Sequence, residues 1–522
     1  MTNDAERELE LVFALAGPVG ADLQDVSRTL ADALRKSEYA EIDEINVSDL
    51  IRQIAWKKKL VRADGSRIEL LSSPEEMRIA SMMDAGNAIR RLCSDSAALA
   101  SMSIAAIRGC RKRAGGEPAR RAYIIRSLKR PEEVNLLRRV YGSGFFLIGV
   151  NVNRPTRIRS LAKRIAASHH ETPASMHFAA DLEEAEALAR RDEDEEWDDY
   201  GQRLRDVFQL ADLFVSSHDP YASIDRFVRL ILGDLGETPC TSEQFMFHAF
   251  AASLTSGALG RQVGAVLVSP QREVLGIGCN EVPKGGGGLY RADDHYDRRD
   301  IHADRDSVNV HADQMIEEFL GMARDAGWLN RTAPPAIEEA RRVFRKSRVT
   351  SLLEFGRTTH AEAEALMAAA RVGVSVRDAT LYTTTYPCHE CARLIVTAGV
   401  RRVMYIEPYP KSRALELHRD AIVAYDDEIP PYCGDPACDE VHAVRFEPFV
   451  GIGPHRYADL FSMTTSSGVP RERKVKASGE RIRWDASTSP PKIQMLPLSY
   501  LDLEAKALYE LKNLIGSEED RR

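Results

Sequence analysis

Apolar and polar residues along this chain change period in step, and each change marks an element. The run LELVFALAG (9–17) is strand-like, a glycine turn follows, and in DLQDVSRTLADALR the apolar positions Leu23, Val26, Leu30 and Leu34 recur at helical spacing. Asp22 stands where its side chain can cap that helix by accepting backbone N–H bonds. Further apolar strands are predicted at 122–125, 145–150 and 213–215, separated by helical patterns such as PEEVNLLRRVY and 224–232. Strands alternating with helices imply a parallel sheet covered on both faces, and residues 1–235 are expected to form such a domain.

A second pattern begins near Ser242 with a predicted helix, EQFMFHAFAASLTSG, and two strands at 263–268 and 274–279. A glycine-rich loop (284–289) leads into a long polar insertion. A helix is then predicted after His360, a strand at 380–384, a helix after Cys388 and a strand at 402–406. This succession suggests an α/β/α sandwich around a mixed sheet, over residues 236–465. The remaining tail, 466–522, has no clear period. An acidic run, DEDEEWDD (192–199), reads as a solvated helix or lid-like loop, since blocks of like charge ordinarily face water.

Composition narrows the class. With 522 residues, 44% hydrophobic and 29% charged, the chain is globular and long enough for two or three domains. A net charge of −8 argues against holding long nucleic acid through many phosphate contacts, while leaving room for a local basic pocket. Eight cysteines are too sparse for a disulfide scaffold. Acidic residues precede the first apolar run, unlike a signal peptide, and no run approaches a membrane span, so a cytoplasmic location is expected.

The chemistry concentrates in His360-Ala361-Glu362 and Pro387-Cys388-His389-Glu390-Cys391. H-x-E followed by P-C-x-x-C is the signature of zinc nucleobase deaminases. Two thiolates and one imidazole give three ligands for a tetrahedral zinc and leave the fourth position for water, whose pKa the metal lowers toward roughly 7. Cys388 and Cys391, three apart at a helix start, share one face, and the helix N-terminus favours the thiolate. Glu362 has the role of proton carrier, catalytic without being a ligand. The cysteine pair alone would equally suit a structural zinc or reduced core thiols, but a structural site closes with a fourth protein ligand and has no use for the glutamate. Cys433, Cys438 and His442 form a looser C-x4-C-x3-H cluster that is either a second, structural zinc site or a set of reduced loop thiols. His295, His302 and His311 read as an exposed polar insertion.

At these motifs, and at RQVGAVLVS (261–269), GIGCNEVPK (276–284), THAEAEAL and TTTYPCHECARLIVTAGVRRVMYIEPYPKS, the sequence resembles the deoxycytidylate deaminase branch of the cytidine deaminase superfamily, over about 240–465. The resemblance implies that Asn280 bonds the nucleotide sugar, that Tyr386 and Pro387 shape the base pocket, and that Lys284 and Lys411 meet phosphate. Asn280 could equally serve as a turn residue, Tyr386 as core, and both lysines as surface.

The N-terminal segment resembles P-loop nucleotide kinases, with GPVGADL where the phosphate loop would stand. Asp22, Leu23 and Gln24 occupy the Gly, Lys and Ser/Thr positions of G-x-x-x-x-G-K-[ST], so phosphoryl transfer is not expected. Amides near Gly17 and Gly20 remain candidates for holding the phosphate of a nucleotide effector, against a purely structural turn. The combination, with SLKRPEEVNLLRRVYGSGFFLIGV and GQRLRDVFQLADLFV, resembles the bacterial anti-phage dCTP deaminases. That likeness implies conversion of dCTP and dCMP to uracil forms, a homo-oligomer such as a hexamer, and inhibition by a small RNA. Two other readings stand beside it: a deaminase of bases in a polynucleotide, and a nucleotide-sensing regulator whose zinc is only structural.

Overall fold

The computed structural model describes residues 10–116, 120–172, 177–195, 198–303, 307–328, 339–340, 343–344, 356–409, 412–424, 443–465, 468–486, 489, 491–493 and 497–516. The chain divides into two units. The first comprises residues 1–244, 406–410 and 448–522; the second comprises 245–405 and 411–447.

In chain order the first unit opens with β1 (Leu11–Ala16), α1 (Leu23–Lys36), β2 (Glu41–Asn46), α2 (Val47–Lys57), α3 (Glu75–Leu92) and α4 (Ala98–Arg113). Next come β3 (Arg121–Arg126), α5 (Pro131–Tyr141), β4 (Phe145–Asn151), α6 (Arg154–Ser168) and α7 (Phe178–Glu193). The helices α8 (Leu204–Phe208) and α9 (Tyr221–Ile231) flank β5 (Leu213–Ser216), and α10 (Thr241–Ser253) leads out of the unit. Strands β2-β3-β1-β4-β5 pair in parallel, in that spatial order. Every residue of β1 is buried, as expected for a central strand covered on both faces. Phe13 stacks on Phe146 at 5.4 Å, and Phe146 meets the edge of Phe227 from α9 at 5.5 Å, so the sheet and its covering helix share one core. Because β1 lies between β3 and β4, the chain leaves its carboxyl end at the switch point of the sheet.

In the second unit β6 (Gly264–Val268), β7 (Val274–Cys279), α11 (Ser307–Asp325), α12 (Ala361–Arg371), β8 (Thr380–Thr385) and α13 (His389–Thr397) precede β9 (Arg402–Glu407), α14 (Ala414–Leu417), β10 (Ile422–Ala424) and β11 (Val444–Pro448). The sheet order is β10-β11-β9-β8-β6-β7, with β6 antiparallel to β7 and β8 and β10 parallel to β11, so the sheet is mixed. The molecule is thus an α/β protein with a doubly wound parallel sheet in one unit and a mixed sheet in the other.

Residues 448–522 belong to the first unit, so 448–465, expected with the mixed sheet, falls with the 466–522 tail instead. There β12 (Gly451–Ile452) adds antiparallel to β5, followed by α15 (Pro454–Phe461) and α16 (Pro497–Gly516). Glu504 of α16 and Glu10 share the Arg111 guanidinium of α4, at 2.8 and 2.7 Å, with the hydroxyls of Tyr123 and Tyr500 donating to Glu10 and that of Tyr141 to Glu504. Two buried carboxylates thus have their partners from helix, strand and tail at once, and the tail is fixed by that network. No helix among the described residues is long and apolar enough to cross a membrane.

Candidate metal centre

Two helix starts bring the signature residues together. His360 is the N-cap of α12, placing Glu362 in the first turn, and Cys388 is the N-cap of α13, where its sulfur accepts the Cys391 amide at 3.4 Å. His360 Nδ1 lies 3.2 Å from Cys388 Sγ and 3.4 Å from Cys391 Sγ, and the three ligand atoms fall within 4.8 Å of one another. Glu362, 4% exposed, accepts a long hydrogen bond from Cys391 Sγ at 3.5 Å.

Three devices hold the two helices in this relation. Gly276 and Gly278 lie on the same face of β7, and α12 packs directly on the strand backbone there. A Cβ at Gly278 would stand 2.1 Å from the Ala361 carbonyl oxygen, and one at Gly276 2.2 Å from that of Ala365. Immediately beyond β7, Glu281 and Thr359 exchange backbone hydrogen bonds, so the residue before His360 is tied to the end of the strand. On the other side Ser412 Oγ donates to the Pro387 carbonyl at 2.8 Å, fixing the approach to Cys388.

The electrostatics suit a cation. Cys388 is pulled down to about 4, first by its hydrogen bond with Cys391 and then by that with His360, so it is the thiolate of the pair. Cys391 is raised in turn by sharing its proton with Cys388. The hydrogen bond to Cys388 lifts His360 to about 9. Burial raises the Glu362 carboxyl above the ordinary range, opposed by the charge of His360. One imidazole nitrogen and two sulfurs, buried and converging at ligand spacing, fit zinc, with the carboxylate beside the cluster rather than within it.

The other expected site residues fare differently. Asn280 is committed to the backbone: Oδ1 accepts the Val263 amide at 2.7 Å and Nδ2 donates to the Arg261 carbonyl at 2.6 Å. Each amide atom keeps one further hydrogen-bonding position. Tyr386 sits edge-on to Tyr405 at 4.8 Å and against Phe446 at 5.3 Å, while its hydroxyl is buried without a hydrogen-bond partner among the described residues. Lys284 pairs with Asp294 at 2.7 Å in the glycine turn. Lys411, Cys433, Cys438 and His442 lie outside the described residues. Gly17 and Gly20 flank the turn after β1, where Gly20 adopts φ +91°.

Two features had no functional reading in the sequence. Glu281, fully buried, accepts the Gly257 amide at 2.6 Å and that of Val282 at 2.9 Å, bracing the 256–263 loop against the strand that leads to Asn280. The acidic run departs from its expected solvated state: Asp192, Glu193 and Glu195 are all buried. They pair with Lys129 at 2.7 Å, Arg157 at 2.5 Å and Arg191 at 2.8 Å. Buried carboxylates need such partners, and here Lys129 and Arg157 from elsewhere in the fold and Arg191 from α7 itself supply them.

Known proteins place this geometry in a class. Residues 240–407 match the cytidine and deoxycytidylate deaminase zinc-binding region, so this part of the chain carries a domain of that family. Among individual relatives, the deoxycytidylate deaminase of Enterobacteria phage T4 is 43% identical over 54 residues, 10% of this chain and 28% of that protein. The human deoxycytidylate deaminase is 24% identical over 164 residues, 31% of this chain and 63% of that protein. The chain therefore spans under a third of the phage enzyme's length and under two thirds of the human one's. The dCMP deaminase of cyanophage S-TIM5, solved with dCMP and dUMP, aligns with 41% of this chain and 99% of its own at 18% identity and a TM-score of 0.23.

Proposed function

We propose that this chain is a hydrolytic deaminase of a deoxycytidine phosphate, dCMP or dCTP, which replaces the exocyclic amine of cytosine with oxygen and releases ammonia. The observation that carries this reading is Glu362, a buried carboxylate beside three converging zinc ligands, in a place where a closed structural site has no need of one. His360, Cys388 and Cys391 would hold a zinc, which when bound supplies the Lewis acidity that makes water a nucleophile near neutral pH.

Glu362 Oε2 is the proton carrier. It takes a proton from the attacking water and passes it to the ring nitrogen as the C4–O bond forms, then takes the second proton from the new C4 hydroxyl and gives it to the amine as the C4–N bond breaks, leaving the uracil carbonyl and ammonia. Its raised pKa suits that traffic, because a carboxylate that gives up its proton too readily would not deliver it to the leaving group. The free Asn280 positions meet the sugar, Tyr386 and Pro387 shape the base pocket, and Lys411 takes phosphate. Lys284 does so only after leaving Asp294.

The resemblance to anti-phage dCTP deaminases supports a role in depleting deoxycytidine nucleotides during infection, in a homo-oligomer restrained by a small RNA; the spacing of Cys433, Cys438 and His442 supports either a second zinc site or reduced loop thiols.

The test is ammonia release by the purified chain offered dCMP, dCTP, deoxycytidine, CTP and a single-stranded oligonucleotide. Turnover of dCMP or dCTP that disappears in Glu362→Ala supports the reading and fixes the phosphate number. Turnover of the oligonucleotide alone replaces it with polynucleotide editing.

A further inference from the structure

The loop between β1 and α1 stands where parallel α/β sheets receive anions: outside the carboxyl end of a strand, at the switch point, ahead of a helix N-terminus. Several of its donors are already answered from within the chain. The Val19 amide donates to Asp192 Oδ2 at 2.7 Å, and the Asp22 carboxylate accepts the amides of Gln24 at 3.1 Å and Asp25 at 3.0 Å. Asp192, in the last turn of α7, has no exposed surface. Its Oδ1 makes an ion-pair contact with Lys129 Nζ at 2.7 Å, and the same ammonium donates to the Gly17 carbonyl at 2.9 Å. Carboxylate and ammonium thus close the loop from both sides.

The cations around the loop are paired as well. Arg157 pairs with Glu193 at 2.5 Å, and Arg154 with Glu186 at 2.6 Å. With Lys129 on Asp192 each of the three cations meets a carboxylate, and Asp22 adds a fourth negative charge in the loop itself. The glycines have packing reasons of their own. A Cβ at Gly20 would lie 3.1 Å from Arg157 Cγ and 3.4 Å from its carbonyl oxygen, and one at Gly17 2.6 Å from Leu23 Cδ2.

We infer that this loop is an anion cradle whose resident anion is the chain's own Asp192 carboxylate, and that it takes no nucleotide phosphate. An arriving phosphate would have to expel a buried carboxylate and leave it without its ammonium partner, the arrangement in which a buried charge is most unfavourable. The contact instead staples α7, and the buried acidic residues that follow it, to the end of β1. A nucleotide effector of this chain therefore binds elsewhere. This inference does not depend on the deaminase reading.

The test uses the full-length protein. In the wild type, photolabelling with 8-azido-ATP leaves the 10–36 peptide unlabelled; label there that excess ATP competes away overturns the inference. In Asp192→Ala the vacated cradle accepts inorganic phosphate. Its thermal midpoint falls by roughly 10 °C, and on the order of half of that returns in phosphate but not in potassium chloride of equal ionic strength. Leu30→Ala, destabilised in the same unit away from the loop, serves as the control. An equal phosphate response in both variants overturns the inference. Should Asp192→Ala fail to fold, Asp192→Asn is read the same way, and the wild-type labelling decides independently.

Discussion

Glu362 and Asp192 are both buried carboxylates, and their surroundings differ in what they leave undone. Asp192 has an amide on one oxygen and an ammonium on the other. Glu362 has one long contact to a thiol, burial that raises its pKa, and three potential metal-ligating atoms nearby, with no fourth in the cluster among the described residues. Burial alone therefore does not mark a functional acid. The distinguishing feature is hydrogen-bonding and coordinating capacity that the fold leaves unanswered while holding the groups rigidly in place. By that measure chemistry resides in the second unit, and the glycine loop of the first is structural.

Removing a ligand should have the largest effect on the site side of this comparison. Cys388→Ala deletes both a donor atom and the sulfur that caps α13, so it should lose zinc and all measurable turnover while the first unit stays folded. Metal analysis beside circular dichroism checks this; retained zinc with retained turnover would mean that the cluster is not the metal site.

A smaller effect is expected at Gly278. Valine there collides with the Ala361 and Ala365 backbone and must push α12 off the sheet, at a cost of about 2–3 kcal/mol in stability and with weakened zinc affinity. Chelator competition and chemical denaturation measure the two losses. Undiminished zinc affinity would show that the helix start is held by other contacts.

The smallest effect lies in the first unit, at Lys492. Burial pushes this lysine down to about 8 from its ordinary 10.5; Arg471 and Arg473 add to the shift and Asp459 opposes it, while its ammonium donates to the Ser462 carbonyl. A pKa lowered by folding means that protonation is penalised in the folded state only. The contribution is therefore most favourable above 10.5 and is lost as pH falls through 8. Lys492→Met should lack that slope, so the difference in unfolding midpoint between variant and wild type should change with pH across this window; parallel profiles would contradict it.

How much of this was legible in the sequence follows from how local each feature is. The convergence of His360, Cys388 and Cys391 beside Glu362 was readable because H-x-E and P-C-x-x-C keep their geometry within a single helix start each. The central strands were readable because both faces are covered and the runs are uniformly apolar. The polar edge strand β2 (EIDEIN) carries no such run, and the helices between β2 and β3 went unassigned. The acidic stretch misled because its partners, Lys129, Arg157 and Asn87, lie far away along the chain and meet it only in the fold. Asn280 reads as a sugar contact or a turn residue, and its partners are backbone atoms that no composition reveals. Gly276 and Gly278 did carry a usable signal, since glycines inside a strand often mark the close approach of another backbone.

The most direct test of the account is Glu362→Gln, which keeps the shape of the side chain and removes its ability to carry a proton. We expect about one zinc per chain in both wild type and variant, and a kcat for deoxycytidine phosphate lowered by roughly 10²–10⁴-fold in the variant. Unchanged kcat with zinc in place would contradict the central claim that this buried carboxylate carries the chemistry.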